Sequence, residues 1–311
     1  MESAPQTLDE LTTRAQHVGP CRVALAGAEN DVALGALAEA ALQGVAEAVL
    51  VGDEARTREL IGRCPDHGDV LLENARFVPA QDPNEAARAA VAAVRDGSAD
   101  LLMKGALRTD QLLRAVLDRE QGLRTERLLS DVLVYEDALS GSTRLVGITD
   151  GGVNIAPDLV AKAEIIRNAV EVFHRLGFSD PKIALMSATE AVTEAIPSTQ
   201  DAQRLTEQAV RGAFGDCVVY GPLALDNALL AWAAKAKGIA SPVAGQADVM
   251  VVPSIEAGNL LGKAVKYFGG STCAHVIMGA RAPVLIPSRV ESVADKLCSV
   301  ALGSLMTEGS K

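Results

Sequence analysis

No apolar run in the sequence reaches the roughly 18 residues that a membrane-spanning helix needs. Positions 1 to 20 are polar and mixed in charge, so no secretory signal is expected there, and either a small helix or a frayed tail fits them. Aromatic residues are scarce at 3%, so the core must be built from Ala, Val, Leu and Ile. A basic excess is missing too: 29 Lys and Arg stand against 40 Asp and Glu, a net charge of -11. That balance argues against a nucleic-acid module, which needs a basic stripe. It leaves an anionic small molecule open, because a few local arginines can hold one inside an acidic protein. The 5 cysteines, at 21, 64, 217, 273 and 298, include no C-x-x-C pair, and their odd number makes a poor disulfide framework. A reducing cytoplasm is the expected setting. The 4 histidines, at 17, 67, 174 and 275, form no metal-ligand motif, so no metal is expected. The phosphate loop G-x-x-x-x-G-K-[ST], the dinucleotide G-x-G-x-x-G after the first strand and the nucleophile elbow G-x-S-x-G are all missing. Any phosphate chemistry must therefore rest on side chains and helix N-termini.

What is there is alternation. Arg22 to Gly27 reads as a strand, 31 to 43 as a helix, 47 to 52 as a strand and 53 to 61 as a helix. Asn84 is placed as the cap of an Ala-rich helix running to about Arg95. Residues 99 to 103 form a buried strand closed by Lys104-Gly105, and Thr109 caps a helix through Asp118. Strands at 131 to 136 and 143 to 149, separated by Ser140-Gly141-Ser142, suggest an antiparallel pair and a change of domain. Pro157 is placed at the start of the next helix, whose stripe Leu159, Ala163, Ile166, Val170 and Phe173 ends at Gly177. Further strands are expected at 182 to 186, 217 to 220, 248 to 252, 275 to 278 and 283 to 286, with a last helix over 292 to 302. At 311 residues the chain exceeds one ordinary core. The pattern predicts an α/β protein of two domains, each a doubly wound, mostly parallel sheet, with an interdomain cleft as the natural ligand site. The expected division is 1–130 plus 283–311 for the first domain and 131–282 for the second.

Four strand-to-helix turns carry candidate chemistry. Ser288 and Arg289 follow an apolar strand, with Asp295 seven residues after the serine. A hydroxyl, a fixed cation and a carboxylate at one turn suit an anionic acyl or phosphoryl group. The competing reading is a helix start, since Ser292-x-x-Asp295 resembles a capping box. Lys104-Gly105 ends a strand facing the expected cleft, with Arg114 on the next helix; a solvated lysine and a helix ion pair are the alternative. Glu256-Ala257-Gly258-Asn259 opens a helix whose N-terminus favours anions, with Lys263 and Lys266 further along. Plain turn chemistry explains it equally. Asp226, after Gly221-Pro222, reads best as an N-cap.

Taken together, several segments resemble the phosphate acetyltransferase and phosphate butyryltransferase family over roughly residues 20 to 303. They are LMKGALRTDQLLRAVLDREQGLRTERLLS (102–130), TDGGVNIAPDLVAKAEIIRNAVEVFHRLG (149–177), GPLALDNAL (221–229), KGIASPVAGQADVMVVPSIEAGNLLGKAVKYFGG (237–270) and GARAPVLIPSR (279–289). The wording of LMKG and GLRTERLLS is closer to the butyryl branch. The resemblance implies the reversible reaction of acyl-CoA and phosphate to give acyl phosphate and CoA, on acetyl or butyryl groups. It also implies the two-domain architecture shared with isocitrate and isopropylmalate dehydrogenases, a homodimer, and no metal or prosthetic group. It assigns catalytic roles to Ser288, Arg289 and Asp295, and substrate contacts to Arg114 and the region of Lys266, where the family often has arginine. Lys104, Gly258 and Asn259 join them as expected CoA or phosphate contacts. Ser130-Asp131 departs from the Ser-His common in the butyryl branch. Three other readings share parts of this pattern: a phosphate acyltransferase fed by acyl carrier protein, a metal- and NAD-dependent dehydrogenase of like architecture, and a non-catalytic regulatory homologue.

Overall fold

A computed structural model of the chain describes residues 3–64, 68–139, 141 and 143–307. Ser140 and Ser142 of the expected hairpin turn lie outside the described residues.

The chain opens with α1 (Leu8–Val18), β1 (Cys21–Ala26), α2 (Asp31–Leu42), β2 (Ala46–Gly52), α3 (Glu54–Ile61) and α4 (Gly68–Asn74). Then come β3 (Arg76–Pro79), α5 (Pro83–Arg95), β4 (Leu101–Lys104) and α6 (Thr109–Val116). The middle of the chain holds β5 (Ser130–Asp137), β6 (Arg144–Thr149), α7 (Leu159–Arg175), β7 (Lys182–Met186) and α8 (Pro197–Val210). It continues through β8 (Val218–Leu223), α9 (Leu225–Leu229), α10 (Ala231–Ala236), β9 (Val249–Val251) and α11 (Ile255–Tyr267). The last elements are β10 (Cys273–Met278), β11 (Val284–Leu285) and α12 (Val293–Leu305). No helix among the described residues is long and apolar enough to cross a membrane.

Two compact units emerge: Asp9–Arg127 with Ala274–Lys311, and Met1–Leu8 with Leu128–Cys273. The first orders its strands β3-β2-β1-β4-β11-β10. All its neighbours pair in parallel except β10 with β11, which pair at Ile277↔Val284. From Ala274 onward β10 falls in this unit. The strands are buried on both faces: Val23, Ala24, Leu25, Leu101, Leu102 and Met103 are each 0% exposed. The chain winds outward from β1 through β2 to β3, then returns to lay β4 on the other side of β1. The point between β1 and β4 is thus where connections depart in opposite directions, and carboxyl ends of strands at such a point leave a crevice.

The second unit orders its strands β5-β6-β9-β7-β8. β5 and β6 pair antiparallel and the rest in parallel. Its core includes Leu133, Ile148, Met250 and Leu223. The helix α7 stripe packs as its spacing requires, with Ile166 and Phe173 at 0% exposure.

Four helix starts differ from the expected ones. Helix α5 is capped by Asp82, whose carboxylate accepts from the N–H groups of Asn84 and Glu85, with Pro83 as the first helical residue. Helix α7 is capped by Asp158, which accepts from Ala161 N–H at 2.8 Å, so Pro157 stands outside. At α6 the cap is Arg108, with the Gln111 side chain accepting from its N–H at 3.0 Å, and Thr109 is already helical. Asp226 is not a cap: α9 starts from Ala224, and the Asp226 carboxylate takes the neighbouring Asn227 N–H and lies 3.9 Å from the Lys237 ammonium.

Candidate active site

In the first unit, β4 and β11 run side by side, Leu102 opposite Val284 and Met103 opposite Leu285. Their carboxyl ends therefore deliver Lys104 and the Pro287-Ser288-Arg289 turn to the same edge. Gly105 shows why a glycine must follow the lysine. A Cβ there would stand 2.0 Å from the Gly27 carbonyl oxygen, so the backbones after β4 and β1 touch directly. Hydrogen bonds from Gly105 N–H to Ala26 (2.8 Å) and from Ala106 N–H to Gly27 (2.7 Å) fasten that contact. Lys104 is thereby fixed at the β1–β4 switch point.

Lys104 is only 6% exposed. Among the described residues its ammonium meets just the carbonyls of Gly105 and Leu107, each at 3.5 Å, too long for strong bonds. Burial, and then the nearby charges of Arg289 and Lys296, push its pKa below the ordinary 10.5, with Glu291 opposing them. Arg289 is exposed, and its guanidinium has no ion-pair partner among the described residues. The half-buried Ser288 hydroxyl likewise has no hydrogen-bond partner among them. Donors with weak acceptors or none among the described residues thus collect at one strand edge.

Asp295 satisfies both sequence readings of its position. The capping box is real: Ser292 N–H donates to Oδ2 of Asp295 at 2.9 Å, the Ser292 hydroxyl donates to the same oxygen at 2.5 Å, and Asp295 N–H returns to that hydroxyl at 3.2 Å. The carboxylate is 0% exposed, while Ser292 beside it is exposed. Two neighbours escaped sequence reading. Glu291 is 9% exposed, its Oε2 is buried without a hydrogen-bond partner among the described residues, and its Oε1 lies 3.8 Å from His275 Nε2. Lys296 is 2% exposed and donates to the carbonyls of Ser288 and Glu291. A signal for it existed: a lysine in the first turns of a mostly apolar helix sits against the helix dipole.

Arg114 is placed apart in character, on the open face of α6 with its side chain 78% exposed and Asp110 at 3.8 Å. In the second unit, Gly258 and Asn259 sit in the first turns of α11 against the loop after β6. A Cβ on Gly258 would stand 2.7 Å from Gly151 Cα and 2.8 Å from the Asp150 carbonyl, so the space is already filled by the chain's own backbone. Asn259 is exposed, with its amide 3.4 Å from the Gly151 carbonyl, and Lys266 is half-buried in the last turn. The loop itself is organised by Asp150, whose carboxylate accepts from the N–H groups of Gly152, Val153 and Asn154 and from the Asn154 amide. Burial and then the adjacent Asp131 raise the Asp150 pKa, against the pull of those donors. Among the described residues no group of three or more His, Cys, Asp or Glu side chains is arranged to hold a metal.

Comparison with known proteins points one way. The family model described as phosphate acetyl/butaryl transferase matches residues 75–304. The chain is 39% identical over 301 residues to a phosphate acetyltransferase of Rhizobium meliloti, covering 97% of this chain and 93% of that protein. It is 37% identical over 306 residues to a phosphate butyryltransferase of Clostridium beijerinckii, covering 98% and 99%. Among solved structures, a branched-chain phosphotransacylase from Enterococcus faecalis superposes with a TM-score of 0.80 at 30% identity, covering 93% of this chain and 99% of that one.

Proposed function

Because the chain belongs to the phosphate acetyl/butyryl transferase family, we propose that it transfers a short acyl group between CoA and orthophosphate, giving acyl phosphate and CoA reversibly. The observation that carries this reading is the set of unsaturated donors at the ends of β4 and β11: the Lys104 ammonium, the Ser288 hydroxyl and the Arg289 guanidinium. A phosphate dianion supplies the acceptors that the two cations lack, the acyl oxygen supplies the one that Ser288 lacks, and the N-terminus of α12 adds its favourable dipole.

The transfer is direct, in a ternary complex. In the direction that consumes acyl phosphate, Asp295 takes the CoA thiol proton, since a thiol with a pKa near about 8.5 is mostly protonated at neutral pH. The thiolate attacks the acyl carbonyl carbon. Ser288 donates to the developing oxyanion, a contact of a kind whose loss costs about 3 kcal/mol. The bond from carbonyl carbon to phosphate oxygen then breaks. Phosphate leaves against Arg289 and Lys104 and takes up the proton that Asp295 received. Asn259, Lys266 and Arg114 are proposed to contact CoA; Gly258 serves by letting α11 close on the Gly151 backbone. The chemistry needs no metal or prosthetic group. The two compact units act as domains, and the enzyme works as a cytoplasmic homodimer.

Phosphate-dependent release of CoA from acetyl-, propionyl- and butyryl-CoA tests the activity, and release from none of them overturns it. Arg289→Ala tests the site. Loss of charge-assisted bonds to phosphate should raise the phosphate KM by about 10- to 100-fold. An unchanged phosphate KM and rate would remove Arg289 from the site.

A further inference from the structure

We propose that Lys296 is a positioning residue for this reaction: from inside α12 it holds the Ser288–Glu291 turn in the shape that presents the Ser288 hydroxyl and the Arg289 guanidinium. The inference rests on the reading of that turn as the phosphate-holding element.

The backbone closes this turn weakly. Its one turn-closing hydrogen bond, from Glu291 N–H to the Ser288 carbonyl, is long at 3.3 Å. The residues between, Arg289 and Val290, are exposed, Val290 at 69%. What ties the turn is the Lys296 ammonium. It donates to the Ser288 carbonyl at 3.0 Å and to the Glu291 carbonyl at 2.8 Å, bracketing Arg289 and Val290 from both sides. Bonds from an ionised donor are stronger than neutral ones, so these outweigh the 3.3 Å backbone contact.

The position of this charge on the helix is unfavourable. Lys296 is 2% exposed, and it is the fourth residue of α12, where the helix dipole disfavours a cation. It also crowds Lys104, another buried amine. A buried charge is costly unless hydrogen bonds satisfy it. Here they fix the two carbonyls that flank the free guanidinium.

The test compares K296M, K296R and R289A, with steady-state kinetics and with the rise in melting temperature produced by inorganic phosphate alone. K296M should raise the phosphate KM by about tenfold and blunt the phosphate-induced rise, while the acyl-CoA KM changes by less than about twofold. K296R, which keeps charge and donors, should restore the phosphate KM to within about threefold. A purely structural lysine would lower the melting temperature without this split between substrates. K296M with an unchanged phosphate KM overturns the proposal, provided R289A raises it; if R289A also changes nothing, the site reading itself has failed. Should K296M not fold, K296Q takes its place, with a smaller rise expected from its single amide donor. If neither neutral variant folds, Lys296 holds the domain and not the turn, and the proposal falls.

Discussion

The capping box at α12 sets up a separation of cap from base. In Asp295→Asn one oxygen can still accept from Ser292 N–H, but the charged acceptor shared by Ser292 N–H and the Ser292 hydroxyl is gone. Losing the interaction of a carboxylate with the helix N-terminus costs about 0.3–1 kcal/mol, and weakening the two bonds brings the total to roughly 1–2 kcal/mol. In Ser292→Ala the carboxylate stays but loses its 2.5 Å hydroxyl donor, and Asp295 N–H loses its acceptor. Removing a cap of this kind costs about 1 kcal/mol, and a buried carboxylate short of a donor adds to it, so roughly 1–2 kcal/mol is expected again. Urea unfolding should therefore find the two variants about equally destabilised. Turnover should not follow stability. Loss of a general base removes about 10²–10⁴-fold of rate, so D295N should fall by at least about 100-fold while S292A keeps about a tenth or more of wild-type turnover. Full activity in D295N refutes the base assignment. Equal losses in both variants refute it as well, because the feature they share is the cap.

Two further outcomes follow from Lys104 and Gly105. The Lys104 ammonium is pushed below 10.5 first by burial and then by Arg289 and Lys296, against Glu291. The charged form therefore burdens the fold at every pH below that lowered value, and the burden lifts as pH rises from there toward 10.5. Bound phosphate uses the same charge, so the phosphate KM should rise as pH climbs through the lowered pKa. K104R, charged throughout, should flatten the profile, and identical pH profiles for the two proteins would exclude Lys104 as a phosphate contact. Gly105→Ala forces a Cβ to within 2.0 Å of the Gly27 oxygen and breaks the 2.8 Å and 2.7 Å bonds that hold the β4 end. A loss of about 3 kcal/mol in denaturant unfolding is expected. A loss below about 0.5 kcal/mol would mean that the contact with Gly27 does not exist.

What could be read from sequence was what local rules govern. The strand into Ser288-Arg289 and the Ser292-x-x-Asp295 box are contiguous, and strand burial and helix capping both act within a few residues. The α7 stripe was legible for the same reason. Caps failed where two candidates stood close together. Asp82 before Pro83 was the better signal than Asn84, since proline prefers the first helical position and the residue before it takes the cap. Asp158 beats Pro157 by the same physics, because only the carboxylate can accept the Ala161 N–H. At Asp226 the helix simply begins two residues earlier, from Ala224 with no side-chain cap, and nothing in the local sequence marks that. The reason for Gly105 was hidden because its partner Gly27 is far away in sequence and adjacent only through the β1–β4 pairing.

The same distinction separates the residues of the candidate site. Ser288, Arg289 and Asp295 stand out because each carries its chemistry in its own side chain. Lys296 and Glu291 act through geometry instead. One grips two carbonyls, and the other places a partly unpartnered carboxylate beside a crowd of cations. The grip on the carbonyls and the missing partner are not legible in a motif, and only the position of Lys296 against the α12 dipole hints at a role. Their electrostatic effects are opposite: Lys296 adds to the positive charge around Lys104, and Glu291 offsets it. Lys104 is held next to Arg289 and Lys296 with only Glu291 among its named neighbours to offset them. In the proposed function a phosphate dianion offsets that repulsion, and this relief contributes to its affinity. Neutralising Lys296 removes part of that relief and at the same time loosens the turn, so loss of charge and loss of shape both raise the phosphate KM of K296M.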